Sequence, residues 1–239
     1  MNKWIKNVQI RLSNSLLPPV CILCGEVGFV NSHRSRDLCL PCLQSLSWIG
    51  PQCVRCALPL SVTAVEALCG RCQTQPPAFE ACLSPFHYQT PLDHLLLGLK
   101  FNGRLAQARL LGELMTQWLV SVVEVPPEQI IPVPLHATRL RERGFNQAVE
   151  LARPVARYFD LPLNLHGVRR TRATPPQSDL SRKERLKNIR GAFDVMQPMS
   201  GSVVIVDDVM TTGSTAHELA AALLSAGAEQ VEVWVCARA

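Results

Sequence analysis

The chain has 239 residues and 47% hydrophobic content, which predicts one or two domains with a core and excludes a disordered chain. Its net charge of +5 is modest. The aromatic content of only 5% argues against a protein that recognises nucleic acid by strong base stacking.

Residues 1–17 carry scattered apolar side chains such as Trp4 and Leu16, interrupted by Lys3, Lys6 and Arg11. The stretch is too short and too broken for a membrane span, and it lacks the continuous apolar core of a signal peptide. We therefore expect a short amphipathic helix with a packing role, no membrane span and a cytoplasmic protein.

Residues 18–75 contain eight of the ten cysteines as four Cys-x-x-Cys pairs: Cys21/Cys24, Cys39/Cys42, Cys53/Cys56 and Cys69/Cys72. Two such pairs complete a tetrahedral Cys₄ zinc site. The spacing predicts two structural Zn²⁺ ions in a double zinc ribbon, which folds a segment too small to be stabilised by a core alone.

Other uses of these cysteines are less consistent with the sequence. A disulfide framework conflicts with the absence of a secretory signal, and a redox pair usually occurs once. Sequential pairing, first with second and third with fourth, is our preferred arrangement, although the spacing also allows a crossed one. Cys82 and Cys236 lie in apolar runs and are expected to be buried.

After Pro76 and Pro77, the composition of residues 78–239 predicts alternating strands and helices. The predicted helices are 91–99, 105–123, 146–159 (interrupted by Pro154) and 215–226. The predicted strands are 130–134, 161–165, 203–206 and 231–235, and residues 79–88 are expected to form a strand pair or an edge strand. This alternation predicts an α/β domain, a parallel sheet with helices on both faces.

Positive charge is concentrated between residues 139 and 190, which hold thirteen of the 24 Lys and Arg residues and five of the 19 acidic residues. Such an excess suggests an anionic ligand or nucleic acid, although a solvated basic loop is an equal alternative. The candidates lie in a loop and in a basic hood at 166–195: Arg139, Arg143, Arg170, Arg172, Arg182, Lys183 and Arg185.

Residues 203–215 combine a buried aliphatic strand, the carboxylates Asp207 and Asp208, and the hydroxyl-rich turn 211–215 before a helix. A turn with Gly213 at a helix N-terminus suits a phosphate, whereas carboxylates suit sugar hydroxyls with Mg²⁺ nearby. Phosphoribosyl pyrophosphate (PRPP) has this combination of groups. An ordinary helix cap would explain the turn, but not the two carboxylates.

The 203–215 stretch closely resembles the PRPP signature of type I phosphoribosyltransferases. The resemblance implies that Asp207 and Asp208 bind the ribose hydroxyls and are the candidate catalytic residues, with Mg²⁺ held alongside PRPP. It also implies that a loop cradles the 5′-phosphate, formed by Thr211, Thr212, Gly213, Ser214 and Thr215.

A wider resemblance covers nearly the whole chain. The four cysteine pairs are followed in order by motifs at 99–101, 132–135, 143–147, 170–177 and 188–193. In this order they resemble the competence protein ComF/GntX family, which implies a zinc ribbon joined to a phosphoribosyltransferase-like domain. By analogy, Lys100 is a candidate for the anionic end of the ligand, and the basic hood would be the flexible loop over the site.

The family resemblance implies a role in DNA uptake or in the use of external DNA. Two functions then stay open: Mg²⁺-dependent phosphoribosyl transfer, or a non-catalytic adaptor that binds single-stranded DNA or DNA-uptake proteins and uses PRPP as a regulatory ligand. The sequence specifies neither the acceptor nor the oligomeric state.

Overall fold

A computed structural model describes residues 18–30, 35–61, 67–172, 189 and 191–239. The helix expected within residues 1–17, and the basic residues Arg182, Lys183 and Arg185, lie outside the described residues.

The cysteine-rich segment contains very short elements. They are β1 (Phe29–Val30), β2 (Ser35–Arg36), α1 (Leu40–Gln44) and α2 (Gly70–Thr74). Strand β1 pairs antiparallel with β2. Cys39 and Cys69 are the N-cap residues of α1 and α2, so the second Cys-x-x-Cys pair of each half lies at the start of a helical turn.

The rest of the chain alternates strands and helices. The strands are β3 (Ala81–Leu83), β4 (Phe86–His87), β5 (Gln129–Pro132), β6 (Val168–Arg170), β7 (Phe193–Val195), β8 (Ser202–Met210) and β9 (Gln230–Arg238). The helices are α3 (Leu92–Asn102), α4 (Leu105–Val122), α5 (Ala137–Arg143), α6 (Gln147–Phe159) and α7 (Ser214–Ser225).

The main sheet is parallel, with strand order β3-β9-β8-β5, and β4 continues beside β9 on the same edge as β3. Strands β8 and β9 are longer than the predicted 203–206 and 231–235, because their ladder runs from the Ser202–Gln230 pair to the Met210–Arg238 pair. Strands β6 and β7 form a separate antiparallel ribbon.

Alternate side chains of β8 pack on opposite faces of the sheet. Val204 and Val206 join the core formed with α3, α4 and α6, whereas Val203 and Ile205 join the core on the side of α7. The predicted fold, a parallel sheet with helices on both faces, is therefore confirmed. Among the described helices, none is both long and apolar enough to span a bilayer.

Two further predicted elements also differ from the structure. The predicted strand 161–165 is reduced to one bridge between Leu163 and Ile130. Helix α6 continues through Pro154, which was expected to interrupt it. A Cβ on Gly112 of α4 would lie 2.9 Å from Pro154 Cγ, so close packing between the two helices accompanies the proline.

The two halves of the cysteine-rich segment pack on different parts of the α/β unit. Cys21 and Leu38 belong to the core with α3 and α4, and Arg36 donates a 2.6 Å hydrogen bond to Gln117 Oε1. Ala57, next to Cys56, belongs instead to the core on the side of α7.

Candidate functional site

The eight paired cysteines form two separate groups of four, each with its ligand atoms within 4.8 Å of one another. The groups are Cys21, Cys24, Cys39, Cys42 and Cys53, Cys56, Cys69, Cys72. The sequential pairing is thus confirmed and the crossed one is wrong. All ten cysteines, which lie within the described residues, are free thiols, so the disulfide alternative is wrong as well.

The distances between sulfurs fit a zinc ion. Cys24 Sγ lies 3.6 Å from Cys39 Sγ, and Cys56 Sγ lies 3.7 Å from Cys69 Sγ. Tetrahedral Zn–S bonds of about 2.3 Å place sulfurs about 3.8 Å apart. The two groups therefore fit two structural zinc sites.

One cysteine in each group has a pKa below the ordinary value for a thiol. Burial opposes the charged form of Cys21, but backbone N–H groups, first that of Cys39, lower its pKa to about 6. The same balance, with the N–H of Cys69, lowers the pKa of Cys53 to about 7. The pKa of Cys42 and that of Cys72 are raised instead, first by burial. Thiolates are the form that binds zinc, so Cys21 and Cys53 are the ligands that ionise most readily.

Cys82 and Cys236 are buried, as their apolar neighbours predict. Burial raises the pKa of both thiols. Neither belongs to a four-cysteine group.

The two adjacent carboxylates lie within the last part of β8. Asp208 is buried, at 4% exposure, and its backbone N–H donates a 2.8 Å hydrogen bond to Asp207 Oδ1. Burial, together with the charge of Asp208, raises the pKa of Asp207 well above its ordinary value of 3.8. Two carboxylates this close resist being ionised together, so the site favours a cation or hydroxyl donors.

Lys100, on α3, lies against this acidic pair. Its Nζ is 2.5 Å from Asp208 Oδ2, and only 22% of the lysine side chain is exposed. Burial alone would lower the pKa of Lys100, but Asp208 and then Asp207 raise it overall. The structure therefore places Lys100 beside the carboxylates.

Arginines that are distant in sequence converge on the same carboxylates. Burial lowers the pKa of Arg143 and of Arg170, while the charge of Asp208 acts on Arg143 and that of Asp207 acts on Arg170. Arg139 repels both guanidinium groups, so it also lies nearby. Arg172 is exposed.

The predicted phosphate loop lies directly after β8 and starts α7. Gly213 adopts a left-handed conformation with φ +76°, and Thr212 Oγ1 lies 2.8 Å from Ser214 Oγ. A small cavity of about 40 Å³ is lined by the whole loop together with Asp207: Asp207, Val209, Met210, Thr211, Thr212, Gly213, Ser214, Thr215, Ala216 and Val235. Loop and acidic residue thus face one space.

Two arginines that were not among the predicted site residues donate hydrogen bonds to backbone carbonyls of this loop. Arg71 Nη1 donates a 2.7 Å hydrogen bond to the Thr212 carbonyl. Arg238 Nη1 donates to the carbonyls of Met210, at 3.0 Å, and Thr211, at 2.6 Å. The only sequence signal for Arg238 is a charged residue directly after the apolar run 233–237.

A larger cleft, of about 940 Å³, lies between the end of β5, helices α5 and α6, and the β6–β7 ribbon. Basic and imidazole side chains on its wall are His136, Arg153, His166, Arg169 and Arg170. Apolar side chains such as Phe145 and Leu165 complete the wall. One acidic residue, Glu150, also lies on the wall and pairs with Arg153 at 3.1 Å, so the cleft combines a net positive charge with apolar surface.

Comparison with known proteins also divides the chain into a cysteine-rich part and a phosphoribosyl transferase part. The double zinc ribbon domain model matches residues 12–73, and the phosphoribosyl transferase domain model matches residues 146–239. The first match contains both four-cysteine groups, and the second contains the acidic pair and the phosphate loop.

Curated relatives match along nearly their whole length. The DNA utilization protein YhgH of Salmonella typhi is 35% identical over 227 residues, covering 93% of this chain and 98% of the relative. Competence protein F of Haemophilus influenzae is 34% identical over 228 residues, covering 92% and 96%. Among solved structures, a glutamine PRPP amidotransferase from B. subtilis overlaps with a TM-score of 0.37 at 19% identity, over 54% of this chain and 26% of that one.

Proposed function

The chain belongs to the ComF/GntX family of DNA utilization and competence proteins, and on that premise we propose that it is a PRPP-binding, phosphoribosyltransferase-like protein serving DNA uptake or the use of external DNA. The observation that carries the proposal is the cavity shared by Asp207 and the 211–215 loop, with Lys100, Arg143 and Arg170 around the acidic pair.

In this proposal the 5′-phosphate binds the loop at the start of α7. Three features support it: the positive end of the helix, the hydroxyls of Thr212 and Ser214, and a glycine with positive φ. The carboxylates of Asp207 and Asp208 accept hydrogen bonds from the ribose hydroxyls. An ionised phosphate has no hydrogen to donate to them, so it fits the loop and not the acidic pair.

A divalent cation fits the same place. Asp208 is already paired with Lys100, so Asp207 is the carboxylate that would hold Mg²⁺, jointly with the oxygens of the ligand. Bound there, Mg²⁺ neutralises charge on the pyrophosphate group. Its charge would also lower the pKa of Asp207 and keep that carboxylate ionised.

Transfer, where it occurs, breaks the bond between the anomeric carbon and pyrophosphate, and the leaving group keeps the electron pair. The acceptor forms the new bond to that carbon, and its proton passes to solvent or a base. The chain contributes positioning and positive charge for the departing pyrophosphate, for which Arg143 and Arg170 are the candidates. No covalent intermediate with the protein is required.

Calorimetric titration of Mg²⁺ and PRPP tests the site. Wild type is expected to bind, and the Asp207→Asn/Asp208→Asn double variant is expected to lose binding. The matched control is Asp160→Asn/Glu124→Gln, which removes two exposed acidic groups elsewhere and should bind as wild type does. Absence of binding heat in wild type would contradict the assignment.

Release of pyrophosphate then separates the enzyme from the regulatory protein. Incubation of the PRPP complex with free bases or single-stranded DNA should release pyrophosphate if the protein is a transferase. Binding without release under all these conditions favours PRPP as a regulatory ligand.

A second candidate function is carried by the 940 Å³ cleft. Its basic wall could neutralise the phosphates of single-stranded DNA, and its few apolar side chains offer limited stacking. We infer that such binding would be weak, sensitive to salt and tolerant of sequence.

A further inference from the structure

Three consecutive carbonyl groups before the start of α7 accept hydrogen bonds from two arginine side chains. Arg238 donates to the carbonyls of Met210 and Thr211, and Arg71 donates to the carbonyl of Thr212. Arg238 is only 6% exposed, so its two bonds form largely away from water. Charge-assisted hydrogen bonds of this kind fix the orientation of the acceptor groups.

Fixing the carbonyls also fixes the N–H groups of the loop. A trans peptide is planar, and its N–H points opposite to its C=O. The carbonyls of residues 210, 211 and 212 turn toward the arginines, so the N–H groups of residues 211, 212 and 213 point to the opposite side. N–H groups held on the side away from the arginines are available to a phosphate.

Both arginines are tied to the second four-cysteine group. Arg71 lies between Cys69 and Cys72 in the sequence, and Arg238 Nε donates a 2.9 Å hydrogen bond to the Cys56 carbonyl. A cavity of about 240 Å³ separates this cysteine group from the loop, and both arginines lie on its wall. Cys56 is therefore connected to the loop through Arg238, and the turn between Cys69 and Cys72 is connected to it through Arg71.

The first four-cysteine group is connected elsewhere. Arg36 and Asp37, which precede Cys39, contact Gln117 and Arg109 of α4. Its contacts in the described structure are thus with the opposite side of the sheet from the loop.

We propose that Arg71 and Arg238 are positioning residues that couple the second four-cysteine group to the phosphate loop. When zinc closes this group, the arginines hold the loop carbonyls, and the loop N–H groups are aligned for phosphate. When the group opens, the loop loses that support. The ligand part of this inference rests on the PRPP site proposed above, whereas the coupling does not.

Hydrogen–deuterium exchange of the ligand-free protein tests the coupling without PRPP. In Arg71→Gln, the segment 209–216 should exchange about tenfold faster than in wild type, because a charge-assisted hydrogen bond is lost. Arg71 is exposed, so the variant is expected to fold. Arg55→Gln is the matched control, because Arg55 lies between Cys53 and Cys56 of the same group but donates to the Phe79 carbonyl. Unchanged exchange in Arg71→Gln, with two zinc ions retained, would overturn the proposal.

Ligand affinity then distinguishes positioning from a general structural role. In Arg71→Gln, affinity for PRPP and for ribose 5-phosphate should fall together, by about tenfold, while affinity for pyrophosphate stays unchanged. Arg71→Lys should recover part of the loss, since an ammonium group can donate one bond. Equal weakening of all three ligands, or of none, would overturn the role in phosphate binding. Failure of wild type to bind PRPP would instead reject the proposed function and leave the exchange result standing.

Discussion

Lys100 Nζ lies 2.5 Å from Asp208 Oδ2, which joins helix α3 to the end of β8 at the point where two carboxylates are adjacent. This pair is largely shielded from water, with the aspartate side chain 5% exposed. Lys100 therefore partly neutralises the negative charge of Asp208, which is largely buried in the protein interior. The lysine is a structural requirement of the acidic pair as well as a neighbour of the proposed ligand.

Replacing Lys100 by Gln should destabilise the protein by about 3 kcal/mol, because a buried carboxylate loses its ion-pair partner. Urea unfolding of the variant and of wild type measures the loss of stability.

The control for this variant is Arg169→Gln, which removes an exposed ion pair with Asp194. Its loss should stay within about 1 kcal/mol. Equal losses in the two variants would contradict the importance assigned to the Lys100–Asp208 pair.

Asp207 makes stability depend on pH in a defined direction. Burial and Asp208 raise its folded pKa above the ordinary 3.8. The stability that protonation provides is fully present below pH 3.8 and is lost as pH rises through the folded pKa. Asparagine cannot ionise, so Asp207→Asn does not lose stability as the pH rises. The free energy of unfolding of the variant should therefore exceed that of wild type at neutral pH, and the two values should converge toward pH 4. A pH-independent difference in unfolding free energy would contradict this.

Gly213 should matter for ligand binding beyond its effect on stability. Its φ of +76° is unfavourable for alanine, so Gly213→Ala should cost about 1 kcal/mol of unfolding free energy. The same cost is expected for Gly103→Ala, since Gly103 has a φ of +62° at the end of α3 and open space around it. Only the first variant should weaken binding of PRPP. Equal affinities in the two variants would argue against the phosphate loop.

The parts of the structure that the sequence predicts best are those set by local patterns. Residues 203–206 form a buried strand because four branched aliphatic side chains fit a sheet covered on both faces. The cysteine spacing predicts zinc sites because each pair spans one tight turn, whereas the choice of sequential over crossed pairing needs the fold. In both cases the signal lies within a few residues.

The features that the sequence did not predict arise from contacts between distant segments. Arg71 and Arg238 are 167 positions apart (238 − 71), and each resembles an ordinary surface or terminal residue until the fold brings both to the 210–212 carbonyls. The role of Lys100 at the anionic end of the ligand stays a prediction, and its ion pair with Asp208 depends on the approach of α3 to β8. Neither relationship has a local sequence pattern.

Zinc content should respond separately to changes in the two cysteine groups. Cys24→Ala and Cys72→Ala should each lower the metal content from two ions to one per chain, because each removes one ligand of a different site. Cys82→Ala is the control and should keep both ions, since Cys82 belongs to neither group. Metal analysis of the purified variants measures the result, and a loss of both ions in each variant would contradict independent sites.

The basic cleft should control the salt dependence of any binding to single-stranded DNA. Arg153 and Arg169 line the cleft, so Arg153→Gln/Arg169→Gln should remove up to two phosphate contacts and reduce the slope of log affinity against log salt by about 1.4. Fluorescence anisotropy with a labelled oligothymidine measures this slope.

The matched control for the cleft is Arg104→Gln/Arg157→Gln, which removes the same charge from exposed positions that do not line it. General attraction between a basic protein and DNA would weaken binding equally in both double variants. A larger change of slope in the cleft variant is therefore the result that places DNA in the cleft, because counterion release counts only the phosphates that are directly neutralised.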